Sequence, residues 1–399
     1  VPQWFPLLLK GKKILIGIGG GIAVYRIVEL VRLLTRQGAM VRLVMTRAAR
    51  QFVSPLTFEA ISRETVHTEL FDLTQERAMG HIQLARWADV LLIAPATADL
   101  MAKLAHGIAD DLLTTLFQAR HGPTVLAPAM NVGMWESTSC RRNAHTLSDQ
   151  GIMIIGPEAG DLACGEEGLG RLSRLETILE ALYHAISPKT LAGQKWLVNA
   201  GPTIEHWDRI RYLTNPASGR LGFSIALAAA ARGARVDLVA GPGTPPVPLG
   251  VQGYHVVSAM DMLDKCLQLA AGTDVFIASA AVSDFRFADS REGKIKRDEI
   301  GETCAVRLVA NPDIVASVAR IDGRPKKIIA FALECKNHVE HAREKLKRKG
   351  VDAIFANDTE NLGNELAGGW WMTEHDTVKL TSSPKWQLAE KLIDLVACL

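Results

Sequence analysis

Lys13 to Ile18 is an apolar run of strand character that ends in Gly19-Gly20-Gly21 and passes into residues 22–37, where Ile27, Leu30, Val31 and Leu34 recur at helical spacing. A buried strand that feeds a glycine turn and then a helix commits the chain to an α/β layout, because the following strand returns parallel to the first. The turn also lets backbone N–H groups approach an anion at the helix N-terminus. The dinucleotide pattern G-x-G-x-x-G fails at its third glycine, which is Ile22, so the turn suits a mononucleotide better than a dinucleotide.

The alternation continues along the first half. Met40 to Met45 is a second strand ending at Thr46, Ala88 to Ala94 a third followed by Pro95-Ala96-Thr97, and Thr124 to Leu126 a fourth running into Pro128. This gives a doubly wound, mostly parallel sheet with a ligand crevice along its carboxyl edge. Pro128-Ala129-Met130-Asn131 breaks the backbone there, and two readings stand. Either Asn131 is an N-cap with Met130 and Trp135 filling core, or the stretch faces a ligand. His81 has the same two readings, surface or core group against proton carrier. Cys164 lies in a segment with four glycines between Gly160 and Gly170, which predicts an irregular flap carrying a thiol over a site.

At 399 residues the chain needs more than one core. The polar, proline-bearing connection Ser187 to Gly193 supplies a boundary, so the expectation is domains at 1–190 and 191–399. The 45 basic and 43 acidic residues give no electrostatic case for a nucleic-acid or membrane partner. Six cysteines without zinc or disulfide spacing read as thiols of a reducing cytoplasm. The opening VPQWFPLLLKGKK has its apolar residues ahead of its basic ones and reads as a loose arm, not a signal peptide.

The second half repeats the architecture without repeating the sequence. Lys195 to Asn199, Val236 to Ala240, Gly253 to Val257, Asp274 to Ala278, Lys327 to Phe331 and Asp352 to Asn357 read as strands, most of them alternating with helices. The expected fold class is therefore α/β, with two doubly wound, mostly parallel-sheet, Rossmann-like domains in tandem. Polar strings gather at strand ends: Asn199 to Thr203, Arg211 to Asn215, Ser279 to Phe285, Lys294 to Lys296 and Asn311 to Val315. Asn215 and Ser218 could cap a helix and the lysines could be solvated. Grouped on one edge, the same residues would form a triphosphate site.

The set Gly17 to Ala23, Gly80-His81, Pro95-Ala96-Thr97, Pro128 to Asn131 with Met134-Trp135, and Ala163-Cys164-Gly165 resembles the flavin-dependent cysteine decarboxylases, phosphopantothenoylcysteine decarboxylases above all. The resemblance spans roughly residues 10–186 and implies a flavodoxin-like first domain. It implies FMN held by Gly19, Gly20, Thr46, Ala96, Thr97 and Met130. It further implies Cys164 as a proton donor, His81 as an acid or base near the substrate carboxylate, and Asn131 as a donor that orients the carboxylate or amide. Many members carry Ser where this chain has Gly19.

Residues 191–399 resemble the phosphopantothenate:cysteine ligases, an activity fused to the decarboxylase in most bacteria. The implied chemistry activates 4'-phosphopantothenate with CTP as an acyl cytidylate, which cysteine then attacks, with Mg2+ on the triphosphate. Asn215 would stabilise the acyl intermediate and Arg211 contact substrate. Ser279, Ala280, Asp284, Lys294, Pro312, Asp313, Ile314, Val315, Phe331, Lys345 and Lys349 would hold CTP. The chain departs from the family at Asn215-Pro-Ala-Ser-Gly-Arg220, often N-x-S-S-G-K, and at Ala332-Leu-Glu-Cys335, often A-x-E-T. Together the two halves imply a bifunctional coenzyme A biosynthesis enzyme, as a homo-oligomer of decarboxylase trimers linked by ligase dimers. The alternatives are a peptidyl-cysteine decarboxylase or prenyltransferase-like flavoprotein with a nucleotide-binding module, and a non-catalytic regulatory flavoprotein.

Overall fold

The computed structural model describes residues 9–70, 80–163, 165–296, 302–334, 338–358 and 364–399. The chain divides into two compact units, Val1–Ser187 and Pro188–Leu399.

The first unit is built on a six-stranded parallel sheet of β1 (Lys13–Ile18), β2 (Met40–Met45), β3 (Val66–His67), β4 (Val90–Ala96), β5 (Thr124–Pro128) and β6 (Met153–Ile154). Their order is β3-β2-β1-β4-β5-β6. With the two-residue β3 set aside, this is the flavodoxin order, whose switch point lies between β1 and β4. The central strands read as unbroken apolar runs because helices cover both faces, and β4 and β5 are buried at every position. Between them run helices with identifiable starts. Thr97 caps Ala98–Ala105 by accepting from Leu100 N–H, and Asp111 and Thr114 form a capping box on Leu112–Ala119. The first helix spans Val24–Arg36, two residues later than its apolar spacing suggests, because Gly21 to Ala23 are spent on the turn.

The glycine-rich flap expected to be irregular is a β-hairpin. β7 (Glu158–Asp161) pairs antiparallel with β8 (Glu167–Arg171). Glycine composition misleads here, because glycine weakens a strand yet also permits close backbone approach. A Cβ on Gly170 would lie 2.2 Å from Met130 O, and Met130 N–H donates to Gly170 O at 3.0 Å.

The second unit holds an eight-stranded sheet of β9 (Lys195–Ala200), β12 (Arg235–Ala240), β13 (Val251–His255), β14 (Val275–Ala278), β17 (Lys327–Glu334), β18 (Ala353–Asp358), β19 (Leu366–Met372) and β20 (Thr377–Pro384). The order is β13-β12-β9-β14-β17-β18-β19-β20. Pairing is parallel from β13 to β18, and β19 and β20 add antiparallel at one edge. The parallel part has the doubly wound order with its switch point between β9 and β14. Two hairpins stand apart from it, β10 (Ile204–His206) with β11 (Tyr212–Thr214), and β15 (Phe285–Phe287) with β16 (Leu308–Ala310). Trp196, Phe223, Phe276 and Phe355 are fully buried against this sheet, each contributing about 1.5–3 kcal/mol by the apolar surface removed from water.

Candidate functional sites

The switch point of the first unit opens into a cavity of about 930 Å³. Its wall is assembled from the turns that follow β1, β2, β4 and β5, with the hairpin closing one side. Gly19, Gly20, Gly21, Thr46, Thr97, Met130 and Asn131 all line it, together with Leu162 and Ala163 from the hairpin turn. The glycines act through contact distance. A Cβ on Gly19 would sit 2.3 Å from Pro95 O and one on Gly20 2.3 Å from the Ala48 Cβ, so these βα turns touch only because neither residue has a side chain. That is the local reason this chain has no room for serine at position 19. Gly19 N–H donates to Pro95 O at 3.2 Å, tying the two turns together.

Thr46 lines the cavity, but its hydroxyl already donates to Ile18 O and accepts from Ala49 N–H, both at 3.2 Å. Ala96 is wholly buried in β4 and is not a lining residue; its carbonyl accepts from Ala129 N–H and so sets the Pro128–Asn131 loop. Arg26, Arg47, Lys103, Arg171 and Arg174 face Asp99, Asp111 and Asp161 around the cavity, an excess of cations suited to a phosphorylated ligand. Lys103 is held by Asp110 at 3.0 Å, which pushes its pKa up, and by Asp99.

The loop after β5 caps a helix and also lines the cavity. Asn131 is the N-cap of the short helix Val132–Glu136, its Oδ1 accepting from Gly133 N–H at 2.8 Å. Its Nδ2 donates to Glu166 Oε2 across the hairpin turn at 2.6 Å, and the residue still lines the cavity. Met130 and Trp135 pack against the core of the unit. Behind Met130 the buried Cys140 thiol lies 3.6 Å from the Met130 sulfur. Cys164 falls outside the described residues, between the lining residue Ala163 and Gly165.

His81 opens the helix His81–Trp87 and is not among the residues lining this cavity. Among the described residues its buried Nδ1 has no hydrogen-bond partner. The resemblance implied a place for it near the substrate carboxylate, and within this chain it is not among the residues lining the cavity.

In the second unit three of the polar strings, Asn199 to Thr203, Arg211 to Asn215 and Asn311 to Val315, bond to one loop, residues 279–284, at the switch point between β9 and β14. Ser279 Oγ donates to Asn199 O at 2.6 Å and Ala280 N–H to Asn199 Oδ1 at 3.0 Å. Asn215 Nδ2 donates to Ala281 O and Val282 O, at 3.3 and 3.1 Å. Asn311 donates from its backbone to Asp284 O and from Nδ2 to Ser283 O, each at 2.8 Å. Asp313 caps the helix Ile314–Ala319 and pairs with Lys349 at 3.0 Å. Burial raises the Asp313 pKa, but Ala316 N–H and the Lys349 ammonium outweigh it and hold the carboxyl below its ordinary value. Pro312, Ile314 and Val315 thus join the loop through the same turn, and Lys349 is more than a solvated charge.

Asn215 does not cap the next helix. Arg220–Ala231 starts at Gly219 in a left-handed conformation, φ 68°, with no side-chain cap, because the N-cap position is held by a glycine; the Asn215 amide donates instead to the 281–282 carbonyls. Arg211 is bound to the buried Asp208 at 2.7 Å and donates to Ile295 O at 3.1 Å. It therefore anchors the segment carrying Lys294, whose own side chain is exposed. Phe331 is half-buried and meets Phe355 edge-on at 5.4 Å. Lys345 is half-buried on the helix His338–Lys349, and Cys335 lies outside the described residues.

The sequence reading assigned no role to Glu166 or Arg47, and took Asn199 only as part of a polar string and not as a bond to the 279–284 loop. Glu166 is adjacent to a motif already recognised, and Asn199 is a polar residue ending a buried strand; either signal was available. Among the described residues there is no group of three or more His, Cys, Asp or Glu side chains that would hold a metal, and no helix long and apolar enough to cross a membrane.

Residues 6–187 match the family model described as Flavoprotein, and residues 191–399 the one described as DNA/pantothenate metabolism flavoprotein C-terminal domain. The coenzyme A biosynthesis bifunctional protein CoaBC of Vibrio cholerae is 43% identical over 395 residues, covering 97% of this chain and 98% of that protein. The Escherichia coli K12 protein of the same name is 42% identical over 352 residues, covering 88% and 87%, and that of Bacillus subtilis 39% over 363 residues, covering 89% and 88%. Among solved structures, the C-terminal domain of a CoaBC protein aligns at 31% identity with a TM-score of 0.44, over 51% of this chain and 94% of that one. With a family model matching each half and relatives aligned along nearly its whole length, the chain belongs to the CoaBC family of bifunctional coenzyme A biosynthesis enzymes, which join a decarboxylase and a ligase activity in one polypeptide.

Proposed function

We propose that the first unit decarboxylates phosphopantothenoylcysteine to 4'-phosphopantetheine with FMN, and that the second makes that substrate from 4'-phosphopantothenate, cysteine and CTP. The observation that carries the first half is the cavity at the β1/β4 switch point, which joins the glycine turn, Thr97, Met130, Asn131 and the hairpin turn around one space.

The residues present fit FMN. The Gly19–Ala23 turn precedes a helix N-terminus and offers backbone N–H groups to the phosphate, and Arg47, which makes no ion pair or hydrogen bond among the described residues, adds a cation. Ala129 and Met130 give an apolar wall for a planar ring system. FMN held by these residues would supply a reversible hydride acceptor for the cysteinyl CH2–SH group. Asn131 orients the substrate carboxylate by donating from its amide, and it stays neutral throughout. The hairpin turn excludes water, and Cys164 delivers the proton that accompanies returned hydride.

His81 is given a place by homo-oligomerisation. It lies away from its own chain's cavity, so in this proposal its imidazole serves the cavity of a neighbouring copy, as expected of decarboxylase trimers linked by ligase dimers. In the second unit the 279–284 loop receives the nucleotide, Lys294, Lys345 and Lys349 meet the phosphates, and Asn215 donates to the acyl cytidylate. Mg2+ arrives on the triphosphate.

Co-expression tests the shared site. Chains carrying His81→Asn and chains carrying Cys164→Ser are each expected to be inactive in decarboxylation. Mixed oligomers should recover a fraction of the parental rate, since some sites draw both intact residues from two chains. No recovery in verified mixed oligomers would place both residues in one chain's site. Pyrophosphate release that depends on both CTP and cysteine tests the ligase half.

A further inference from the structure

Thr203 lies in the turn after β9 and is fully buried, yet its hydroxyl and its carbonyl both serve other segments of the second site. Ser283 N–H donates to Thr203 Oγ1 at 3.0 Å, and Thr214 Oγ1 donates to Thr203 O at 2.7 Å. Asn215, next along the chain from Thr214, donates from Nδ2 to Ala281 O and Val282 O at 3.3 and 3.1 Å. These contacts close a ring that runs from Thr203 to Ser283, back along the loop to Val282, across to Asn215 and through Thr214 to Thr203. Ala281 N–H joins the ring to the sheet by donating to Gly201 O at 2.9 Å, and Asn311 Nδ2 holds the far side of Ser283 through its carbonyl at 2.8 Å. Thr203 thus bonds both to the loop and to the strand that leads into Asn215. Because β-branching restricts its χ1, the Oγ1 acceptor keeps a fixed direction.

We infer that Thr203 is a positioning residue for ligation, which sets the Asn215 amide against the 281–283 backbone through its hydroxyl and its carbonyl. This rests on the reading of Asn215 as the donor to the acyl cytidylate. In that reaction a carboxylate oxygen of 4'-phosphopantothenate attacks the α-phosphorus of CTP and pyrophosphate leaves. The cysteine amine then attacks the acyl carbon and gives up its proton to solvent, while the bond from that carbon to the bridging oxygen breaks and CMP departs with the electron pair. Negative charge builds on the acyl oxygen as the amine adds, so a donor helps only where its N–H meets that oxygen. A small displacement of Asn215 therefore costs rate more than substrate binding, because the interaction is made chiefly in the transition state.

Thr203→Val keeps the shape of the side chain and removes the acceptor, leaving the buried Ser283 N–H without its partner. Thr203→Ser keeps the acceptor and deletes a buried methyl group. In the full-length enzyme, T203V is expected to lower the kcat of ligation about tenfold, with KM for CTP and for 4'-phosphopantothenate within about twofold of the parent. T203S should melt below the parent because of the cavity it leaves, and still hold kcat within about twofold. Rate then follows the hydroxyl and not the stability, which a packing role alone does not produce. Parental kcat in T203V overturns the inference, and so does a loss in T203S as large as that in T203V. Should T203V not fold, Thr214→Val at an exposed position takes its place: a several-fold lower kcat supports the inference and a parental kcat overturns it. Asn215→Ala distinguishes the two levels. If it ligates at the parental rate, the reading of Asn215 has failed; if it loses rate while T203V keeps it, only the role of Thr203 has failed.

Discussion

The two units put their polar residues at equivalent places, the carboxyl edge of a doubly wound sheet at its switch point, and build unlike sites there. In the first unit the site is a space. Glycines bring four turns close enough to wall a cavity, and most of its lining is backbone or apolar side chain. In the second it is a hub of hydrogen bonds. Asn199, Asn215 and Asn311 all bind the 279–284 loop, while Lys294 and Asp284 stand exposed. The difference suits the ligands. A flavin that stays bound through turnover gains from enclosure, whereas the nucleotide proposed for the second unit, which must enter and leave each cycle, gains from a hydrogen-bonded loop edged by an exposed lysine.

The sharpest test of this contrast is Asn215→Ala. It removes the donor proposed for the acyl intermediate and both ties to the 281–282 carbonyls, so ligation should fall by about 10²-fold or more. Decarboxylation of supplied phosphopantothenoylcysteine should be unchanged. Equal loss of both would mean that the two sites do not work as separate constructions. Gly170→Ala is the converse experiment. The new Cβ meets a backbone oxygen that no rotamer change can move, so the hairpin must shift away from Met130 and decarboxylation should drop by about 10²-fold. The ligase rate should hold, and retained decarboxylation would show that the hairpin is not a wall of the working site.

The smallest effect concerns the anchor beneath Lys294. Burial raises the Asp208 pKa, but the N–H groups of Arg211, Ile210 and Ile295 and the Arg211 charge outweigh it and bring it down to about 2 from 3.8. A depressed carboxyl stabilises the fold fully above its unfolded pKa, about pH 4, and loses that contribution as pH falls through about 2. Asp208→Asn should therefore melt below the parent near neutral pH, with the gap closing as pH falls from about 4 to about 2. A constant gap across that range would assign the effect to lost packing instead of charge.

How much of this was legible beforehand can be judged residue by residue. The strand and helix alternation, the glycine turn and the polar strand ends were readable because each is a local pattern whose period or turn chemistry is written in neighbouring residues. The hairpin was misread because the same glycines that argue against regular structure are what let β8 pass within hydrogen-bonding distance of Met130, and that partner is some 40 residues away. β19, β20 and the two small hairpins were missed for a related reason: strands that complete a sheet edge or stand outside it carry weaker patterns than buried parallel ones.

By itself the sequence determined the α/β class, the switch-point edges and the identity of the polar residues on them, since periodicity and turn propensity act over a few residues. Only the tertiary structure decided which of those residues meet. It turned Asn131 toward Glu166, engaged the Thr46 hydroxyl in its own turn, bound Arg211 to Asp208 and left His81 outside the cavity of its own chain. Those outcomes depend on hydrogen bonds between segments far apart in the chain. Their partners are chosen by packing geometry, which no local run of residues encodes.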